Sequence, residues 1–112
     1  MKIYHNPRCS KSRQTLALLQ ENGVEPEVVL YLDDAPTTDE LKNLLIKLGI
    51  SPMQLVRKGE AIWKEKFKGK ELTDDEVIAA MIANPKLIER PIVVKNNKAV
   101  LGRPPENALE LI

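Results

Sequence analysis

The sequence predicts an α/β fold, namely a four-stranded mixed sheet (β-α-β, then β-β-α) with an inserted helical subdomain. Three observations support this: strand, helix and strand patterns follow one another over residues 2–31, a long middle stretch has helical periodicity, and two strand-like segments precede the carboxyl terminus. A β-α-β crossover makes its two strands parallel, whereas a two-residue turn makes the last two antiparallel. The predicted sheet is therefore mixed.

The amino-terminal segment supplies the first three elements. A short strand over residues 2–5 stops at Asn6-Pro7, and a helix is predicted over about 10–22, with Gly23 where a carboxyl-terminal cap is expected. Residues 27–31 form a nearly continuous apolar run. Such a run is typical of a strand covered on both faces, and we expect one there.

Helices dominate the middle of the chain, and their starts are marked by capping-box spacings. The marked pairs are Thr37 with Glu40, Ser51 with Gln54, and Thr73 with Glu76. The predicted helices span 38–48, 52–57, 60–67 and 74–83. They make up a helical insert of about 37–84.

Strand character resumes at residues 91–95 and continues over 98–101 after the Asn96-Asn97 turn signal, and a short terminal helix opens at 103–106. No linker, repeat or low-complexity tract divides the chain, so we expect residues 1–112 to form a single domain around a thioredoxin-like core. Arg90-Pro91 opens a strand where such folds carry a cis peptide. The sequence leaves open whether this proline is cis or an ordinary trans proline at the first residue of a strand.

Composition excludes several classes of function. Charges nearly cancel, at a net +1, and aromatic residues make up 4% of the chain, so neither a basic nor a stacking nucleic-acid surface is expected. The longest apolar run, Val77 to Ala83, is far short of the ~20 residues of a membrane span. No signal-peptide pattern is present. These observations predict a cytoplasmic protein that binds neither nucleic acid nor membrane.

The chain has one cysteine, Cys9. A single thiol excludes an intrachain disulfide and a Cys-rich zinc site, and no metal site is expected. Cys9 lies between the first strand and the first helix, where the helix amides and dipole favour a thiolate. Arg8, Lys11 and Arg13 add positive charge nearby. The alternative is an inert, buried cysteine.

The residues that follow Cys9 limit its chemistry. Ser12 stands where a dithiol redox motif has its second cysteine, so another molecule must resolve any adduct on Cys9. A phosphatase-type Cys-x5-Arg loop would need arginine at the position of Thr15. The pattern therefore favours a monothiol enzyme.

Other candidate site residues lie at the ends of predicted elements. Arg57, Arg90 and Arg103 occupy such junctions, and three guanidinium groups converging on a thiolate would bind a tetrahedral oxyanion. They could equally be unrelated surface arginines. His5 could assist the thiol or move protons, or it could be a strand-end histidine satisfied by the backbone.

The segment from His5 to Arg13 resembles the active-site segment of the glutaredoxin-coupled arsenate reductase family, ArsC. The similarity runs over essentially the whole chain. Further matching segments are Tyr31-Leu32, Pro36-Thr37, Leu55 to Lys58, Asn84-Pro85, Arg90 to Val94 and Gly102 to Pro105. After the nucleophile, Ser10-Lys11 is similar to a housekeeping branch of the family, in which arsenate specificity is open.

The resemblance implies a thioredoxin-like oxidoreductase of arsenic detoxification. In the family, the matching cysteine attacks arsenate, glutathione attacks the adduct, glutaredoxin removes the glutathione, and arsenite leaves. By position, Cys9 is the nucleophile, His5 and Ser12 assist it, and the oxyanion is held by Arg57, Arg90 and Arg103. Glutathione is then a co-substrate, glutaredoxin a partner, and no bound cofactor is expected.

The sequence leaves two alternative functions open. The chain could be a glutathione-dependent thiol oxidoreductase that acts on mixed disulfides, as the monothiol motif and Ser10-Lys11 allow. It could also resemble the family's transcription regulators, which bind RNA polymerase through the same fold without catalysis. Those regulators typically carry a Cys-x-x-Cys pair, and Ser12 replaces the second cysteine here.

Overall fold

The computed structural model describes all residues from 1 to 112, and their contacts cluster into two compact units. One unit comprises residues 1–34 and 90–112 and contains the sheet; we call it the sheet unit. The other comprises residues 35–89 and is built from helices; we call it the helical unit.

The sheet unit holds four strands, β1 (Lys2–Tyr4), β2 (Glu27–Val29), β3 (Ile92–Lys95) and β4 (Lys98–Leu101), in the order β2-β1-β3-β4. β1 runs parallel to β2 and antiparallel to β3, and β3 is antiparallel to β4. The predicted mixed, four-stranded α/β fold is confirmed.

The core of the sheet unit forms where the sheet packs against two helices. These are α1 (Ser10–Glu21) and a 3-10 helix, Pro105–Leu111. Ile3 and Val93, paired across β1 and β3, are fully buried and pack with Leu19 of α1. Burying side chains of this size contributes about 1.5–3 kcal/mol each, so α1 is held firmly at its place on the sheet.

The helical unit contains α2 (Thr38–Leu48), α3 (Pro52–Leu55), α4 (Ala61–Lys66) and α5 (Asp74–Ala83), followed by a 3-10 turn, Pro85–Leu87. In this unit α5 packs against both α2 and α3. Its buried apolar side chains include Leu41, Leu44 and Leu45 of α2 and Val77, Ile78 and Met81 of α5. The apolar faces of α2 and α5 are thus buried against neighbouring helices, as amphipathic helices require.

Capping boxes begin α2 and α5, as the sequence predicts. The Thr37 and Thr73 hydroxyls each accept the backbone N–H three residues ahead, and Glu40 and Glu76 accept the threonine N–H groups in return. The hydrogen bonds with the backbone and then the side chain of Thr73 hold the pKa of Glu76 below 4.5. At α3 the Ser51 N–H donates to Gln54 Oε1 at 2.8 Å.

One prediction about the sheet is wrong. The apolar run at residues 27–31 is not a strand covered on both faces, because β2 lies at the edge of the sheet and ends at Val29. Val28 and Leu30 are 43% and 41% exposed. After Val29 the chain turns, with the Asp33 N–H donating to the Leu30 carbonyl at 3.0 Å. Hydrophobicity alone cannot distinguish an edge strand from a central one.

Some element ends also differ from the prediction. The helix predicted over 52–57 ends at Leu55, because Val56 pairs with Ile88 in an isolated antiparallel bridge. The terminal helix is of the 3-10 type. None of the helices combines the length and apolar character that crossing a bilayer requires.

Two adjacent threonines test the capping of α2. Thr37 accepts the Glu40 N–H at 3.2 Å, whereas Thr38 is already inside the helix. We expect Thr37→Ala to lower the free energy of unfolding by about 1 kcal/mol. The reason is that the Glu40 N–H, which has no partner within the helix, loses its hydrogen bond to the Thr37 hydroxyl. Thr38→Ala is the matched control and should change it by less than about 0.5 kcal/mol. Equal effects in urea denaturation would contradict the assigned cap.

Candidate active site

Cys9 is the residue immediately before α1, at φ −94° and ψ 123°. Its N–H donates to the Asn6 carbonyl and its carbonyl accepts the Arg13 N–H, both at 3.0 Å. The sulfur does not cap the helix through a hydrogen bond to an α1 amide. Cys9 is only 9% exposed. The helix therefore fixes the Cys9 backbone, while the sulfur takes its contact from elsewhere.

Asn6 organises residues 6–9, the segment that ends at Cys9, which we call the thiol loop. Its N–H donates to Ser12 Oγ at 3.0 Å, and its Oδ1 accepts the Arg8 N–H at 3.0 Å. Arg13 Nη1 donates to the Pro7 carbonyl at 2.9 Å. These bonds tie the thiol loop to the first turn of α1 and so fix where the Cys9 side chain starts.

His5 and Ser12 form a buried pair, with His5 Nδ1 and Ser12 Oγ 2.7 Å apart. Ser12 is fully buried, and its Oγ already accepts the Asn6 N–H. A buried hydroxyl needs an acceptor for its own proton, and His5 Nδ1 is the acceptor within reach. Ser12 therefore donates to Nδ1, which places the ring proton of neutral His5 on Nε2.

The environment keeps His5 neutral. Burial, and secondarily the positive charge of Arg13, hold the pKa of His5 below its ordinary value of 6.5. At neutral pH the ring is therefore uncharged. His5 lies near the thiol loop as a neutral imidazole, so it does not supply an imidazolium charge to Cys9.

Arg103 supplies the cationic contact of the sulfur. Its Nη2 donates to Cys9 Sγ at 3.6 Å, across 94 positions of sequence. Its Nε donates to the Arg90 carbonyl at 2.8 Å. The peptide bonds Arg90–Pro91 and Arg103–Pro104 are both cis. Arg90 thus enters the site through its main chain, as the acceptor that orients the guanidinium on Cys9.

The backbone before Arg103 packs too closely for a side chain. A Cβ on Gly102 would lie 2.6 Å from Thr15 Oγ1 and 2.7 Å from Pro91 Cγ. Gly102 donates its N–H to the Pro91 carbonyl at 2.9 Å, and Thr15 Oγ1 lies 3.3 Å from the Gly102 carbonyl. Only glycine lets α1, Pro91 and the segment carrying Arg103 approach this closely.

Arg57 lies in the helical unit and is already paired there. Its Nη1 is 2.6 Å from Glu60 Oε1 and its Nε is 3.4 Å from Glu89 Oε1. Its N–H donates to the Leu87 carbonyl at 2.7 Å. The structure thus joins Cys9 with Arg103 and Arg90 in the sheet unit. That Arg57 joins them at one oxyanion stays a prediction.

Asn6, Thr15 and Gly102 were missed as site residues by the sequence analysis. Asn6 had a detectable signal, because an asparagine that bonds the amide two residues ahead is a common turn former. Thr15 and Gly102 had none, since their contact is formed between residues 87 apart. The structure contains no group of three or more His, Cys, Asp or Glu residues able to hold a metal ion.

Gly102 provides a test of the packing behind Arg103. We expect Gly102→Ala to lower the free energy of unfolding by about 1–3 kcal/mol, since Thr15 and Pro91 must move to admit the methyl group. Gly59→Ala makes the same change with no atom within 4 Å. It should cost little or nothing in thermal or urea denaturation. A neutral Gly102→Ala would show that the close approach is not required.

His5 is the only histidine, so its ring signals in an NMR pH titration are unambiguous. We expect a midpoint below 6.5, because burial penalises the charged ring. As pH falls below 6.5, the unfolded chain therefore binds more protons than the folded one. The folded state loses stability over that range of pH. His5→Gln should flatten that part of the stability profile. A midpoint at or above 6.5 would contradict the neutral His5–Ser12 pair.

Comparison with known proteins relates this site to a family. The ArsC family model matches residues 4–111. The Escherichia coli K12 protein named Uncharacterized protein YfgD is 55% identical over 114 aligned positions, covering 100% of this chain and 96% of its own. An arsenate reductase of Neisseria meningitidis (strain MC58) is 46% identical over 109 positions, covering 96% and 93%.

Solved structures agree with the sequence relatives. The structure of an arsenate reductase from Vibrio cholerae superposes with a TM-score of 0.96 at 50% identity, covering 99% of this chain and 96% of that one. The residues matched by the family model, 4–111, include the thiol loop, both cis-proline segments and the arginines described above. The chain belongs to the ArsC family.

Proposed function

We propose that this protein is an arsenate reductase, in which Cys9 attacks arsenate and glutathione and glutaredoxin supply the electrons. The contact of Arg103 with Cys9 Sγ at 3.6 Å carries this proposal. A guanidinium on a sulfur stabilises the thiolate and is placed to receive an oxyanion that the sulfur attacks. Relatives at 46% and 43% identity that bear the name arsenate reductase support the choice of substrate.

In the first step the Cys9 thiolate forms a sulfur–arsenic bond. One arsenate hydroxyl leaves as water after taking up a proton, and arsenic stays pentavalent. Arg103 offsets the negative charge of the bound oxygens, and Arg90 is proposed to do the same. Because Arg103 is exposed, solvent screens part of this charge. A second arginine would therefore strengthen the hold on the anion.

The electrons come from two external thiols. Glutathione condenses with the arsenic of the adduct and releases a second water. A glutaredoxin thiolate then attacks the glutathione sulfur and forms a mixed disulfide. The bond between the glutathione sulfur and arsenic breaks, its electron pair stays on arsenic, and arsenic becomes trivalent. Water releases arsenite from Cys9. In balance, one arsenate and two thiols give one arsenite, one disulfide and one water.

His5 and Ser12 are proposed to assist Cys9. Ser12 holds both Asn6 and His5 by hydrogen bonds of 3.0 and 2.7 Å, and thus keeps the thiol loop in one geometry. Each condensation step takes a proton from a thiol and gives one to the departing hydroxyl. The Ser12 hydroxyl and Nδ1 of the neutral His5 ring are proposed to relay that proton.

A second function is favoured by the pairing of Arg57. Glu60 and Glu89 both pair with its guanidinium. Their negative charges weaken the attraction of Arg57 for a multiply charged oxyanion. A glutathione mixed disulfide carries no such charge at the reacting sulfurs. The same Cys9 thiolate could attack it, forming a Cys9–glutathione disulfide and releasing the partner thiol, and a second glutathione would then restore Cys9.

One assay separates the two functions. The purified protein, with its single thiol verified by titration, is supplied with arsenate, glutathione, glutaredoxin, glutathione reductase and NADPH. We expect arsenite formation that Cys9→Ser abolishes, because no other thiol can form the adduct. Arg103→Lys should reduce kcat/KM for arsenate by about tenfold, since a charged hydrogen bond contributes about 1.5–3 kcal/mol. Arg90→Lys should mainly raise KM for arsenate.

A glutathionylated peptide serves as the competing substrate in the same coupled system. If the protein turns it over and forms no arsenite above the Cys9→Ser background, arsenate reduction is the wrong function and the mixed-disulfide activity is the right one. Turnover of neither substrate by protein with an intact thiol would reject both.

A further inference from the structure

The thiol loop borders a cavity that the steps above do not use. The cavity measures about 300 Å³ and is lined by residues of the sheet unit alone. His5, Asn6 and Arg8 come from the segment before Cys9, and Leu30, Leu32 and Asp33 come from the turn after β2. Its volume lies at the lower end of ligand-binding cavities, about 300–1,000 Å³.

Two nearly buried polar side chains on the cavity wall have hydrogen-bond donors that no group of the chain uses. His5 is 6% exposed, and its Nδ1 is taken by Ser12, which leaves Nε2–H without an acceptor. Asn6 is 9% exposed, and its Oδ1 accepts the Arg8 N–H while its Nδ2 has no partner. Both donors belong to residues that line the cavity and neither is a fully buried atom, so an acceptor on a ligand can take the place of solvent there.

The remaining lining narrows the chemistry of that ligand. Arg8 provides one positive charge and Asp33 one negative charge, while Leu30 and Leu32 offer apolar surface at 41% and 37% exposure. An inorganic oxyanion would suit Arg8 and the donors, but Asp33 would repel it and the leucines would contribute nothing. A zwitterionic peptide satisfies all of them, through its carboxylate, ammonium, amide carbonyls and methylene groups.

We propose that this cavity is the binding site for the thiol co-substrate, a glutathione-like zwitterionic tripeptide. Its carboxylate pairs with Arg8 and its ammonium with Asp33, its carbonyls accept from His5 Nε2 and Asn6 Nδ2, and its methylene groups lie on Leu30 and Leu32. The identity of the co-substrate rests on the proposed function, whereas the site rests on the cavity itself. Arg8, on the cavity wall, directly precedes Cys9 in the chain, so the site borders the segment that carries the nucleophile.

The site also gives the exposed leucines after β2 a role. Residues 30–34 leave the sheet edge and turn back on themselves, with both the Asp33 and Asp34 N–H groups donating to the Leu30 carbonyl. This turn sets Asp33 and not Asp34 on the cavity wall. The two adjacent carboxylates are therefore a matched pair for experiment.

Binding can be measured without any redox chemistry. The probe is S-methylglutathione, whose sulfur cannot react, and the protein is Cys9→Ser, which carries no thiol. We expect a saturable shift of the His5 ring signals in NMR, because Nε2–H gains an acceptor. Inorganic phosphate at the same concentration should neither cause that shift nor displace the peptide.

Variants identify the charges involved. Arg8→Gln and Asp33→Asn should each weaken S-methylglutathione binding by about five- to tenfold, as the loss of one partly exposed ion pair predicts. Asp34→Asn should change it by less than about twofold. Far-ultraviolet circular dichroism and thermal melts of each variant verify that the fold is kept.

The outcomes separate this site from the proposed function. No saturable His5 shift, displacement by phosphate, or equal weakening by Asp33→Asn and Asp34→Asn would each overturn the site. If arsenite still forms in the glutathione-dependent assay, arsenate reduction survives that result. If S-methylglutathione binds as described but no arsenite forms, the site stands and arsenate reduction fails.

Discussion

The contact of Arg103 with Cys9 is the interaction that the sheet unit is arranged to make. Its two residues are 94 positions apart, so the order of the whole sheet must be right before they meet. β1 leads to Cys9, and β4 leads through Gly102 to Arg103. The Arg90 carbonyl, just before β3, then orients the guanidinium. Three separate segments thus converge on one sulfur, and each is fixed by the central strands.

The charge state of His5 determines how the sulfur is stabilised. A protonated imidazole near the thiol loop would compete with Arg103 as the source of positive charge. Burial and the Arg13 charge hold the pKa of His5 below 6.5, so the ring is uncharged at neutral pH. A guanidinium is a permanent cation under the conditions in which proteins fold. The positive charge beside the sulfur therefore does not change with pH, whereas the protonation of His5 does. Stabilising the sulfur and accepting a proton are thus assigned to different residues.

Local signals were predictable from the sequence, whereas contacts between distant residues were not. The β-α-β order, the Thr37 and Thr73 capping boxes and the helix start at Cys9 each depend on a few neighbouring residues. The edge position of β2 depends on which strands pair, and an apolar run carries no information about that. The same limit applies within the site. Cys9 and Arg103 could be named from the family pattern, but the Arg90 carbonyl contact and the Thr15–Gly102 packing exist only once the sheet is assembled.

The proposed chemistry needs two recognition problems to be solved separately. An oxyanion requires concentrated positive charge, which Arg103 presents to the sulfur from the carboxyl-terminal part of the chain. A thiol peptide of mixed charge requires donors, one carboxylate and apolar surface, and these lie in residues 5–8 and 30–33. Because the two sets share no side chain, the peptide can bind while arsenic is still on Cys9. A single-cysteine enzyme depends on that, since its adduct must wait for an external thiol. The neutral His5 belongs to the peptide set through its Nε2–H, and its hydrogen bond to Ser12 connects the cavity with the thiol loop.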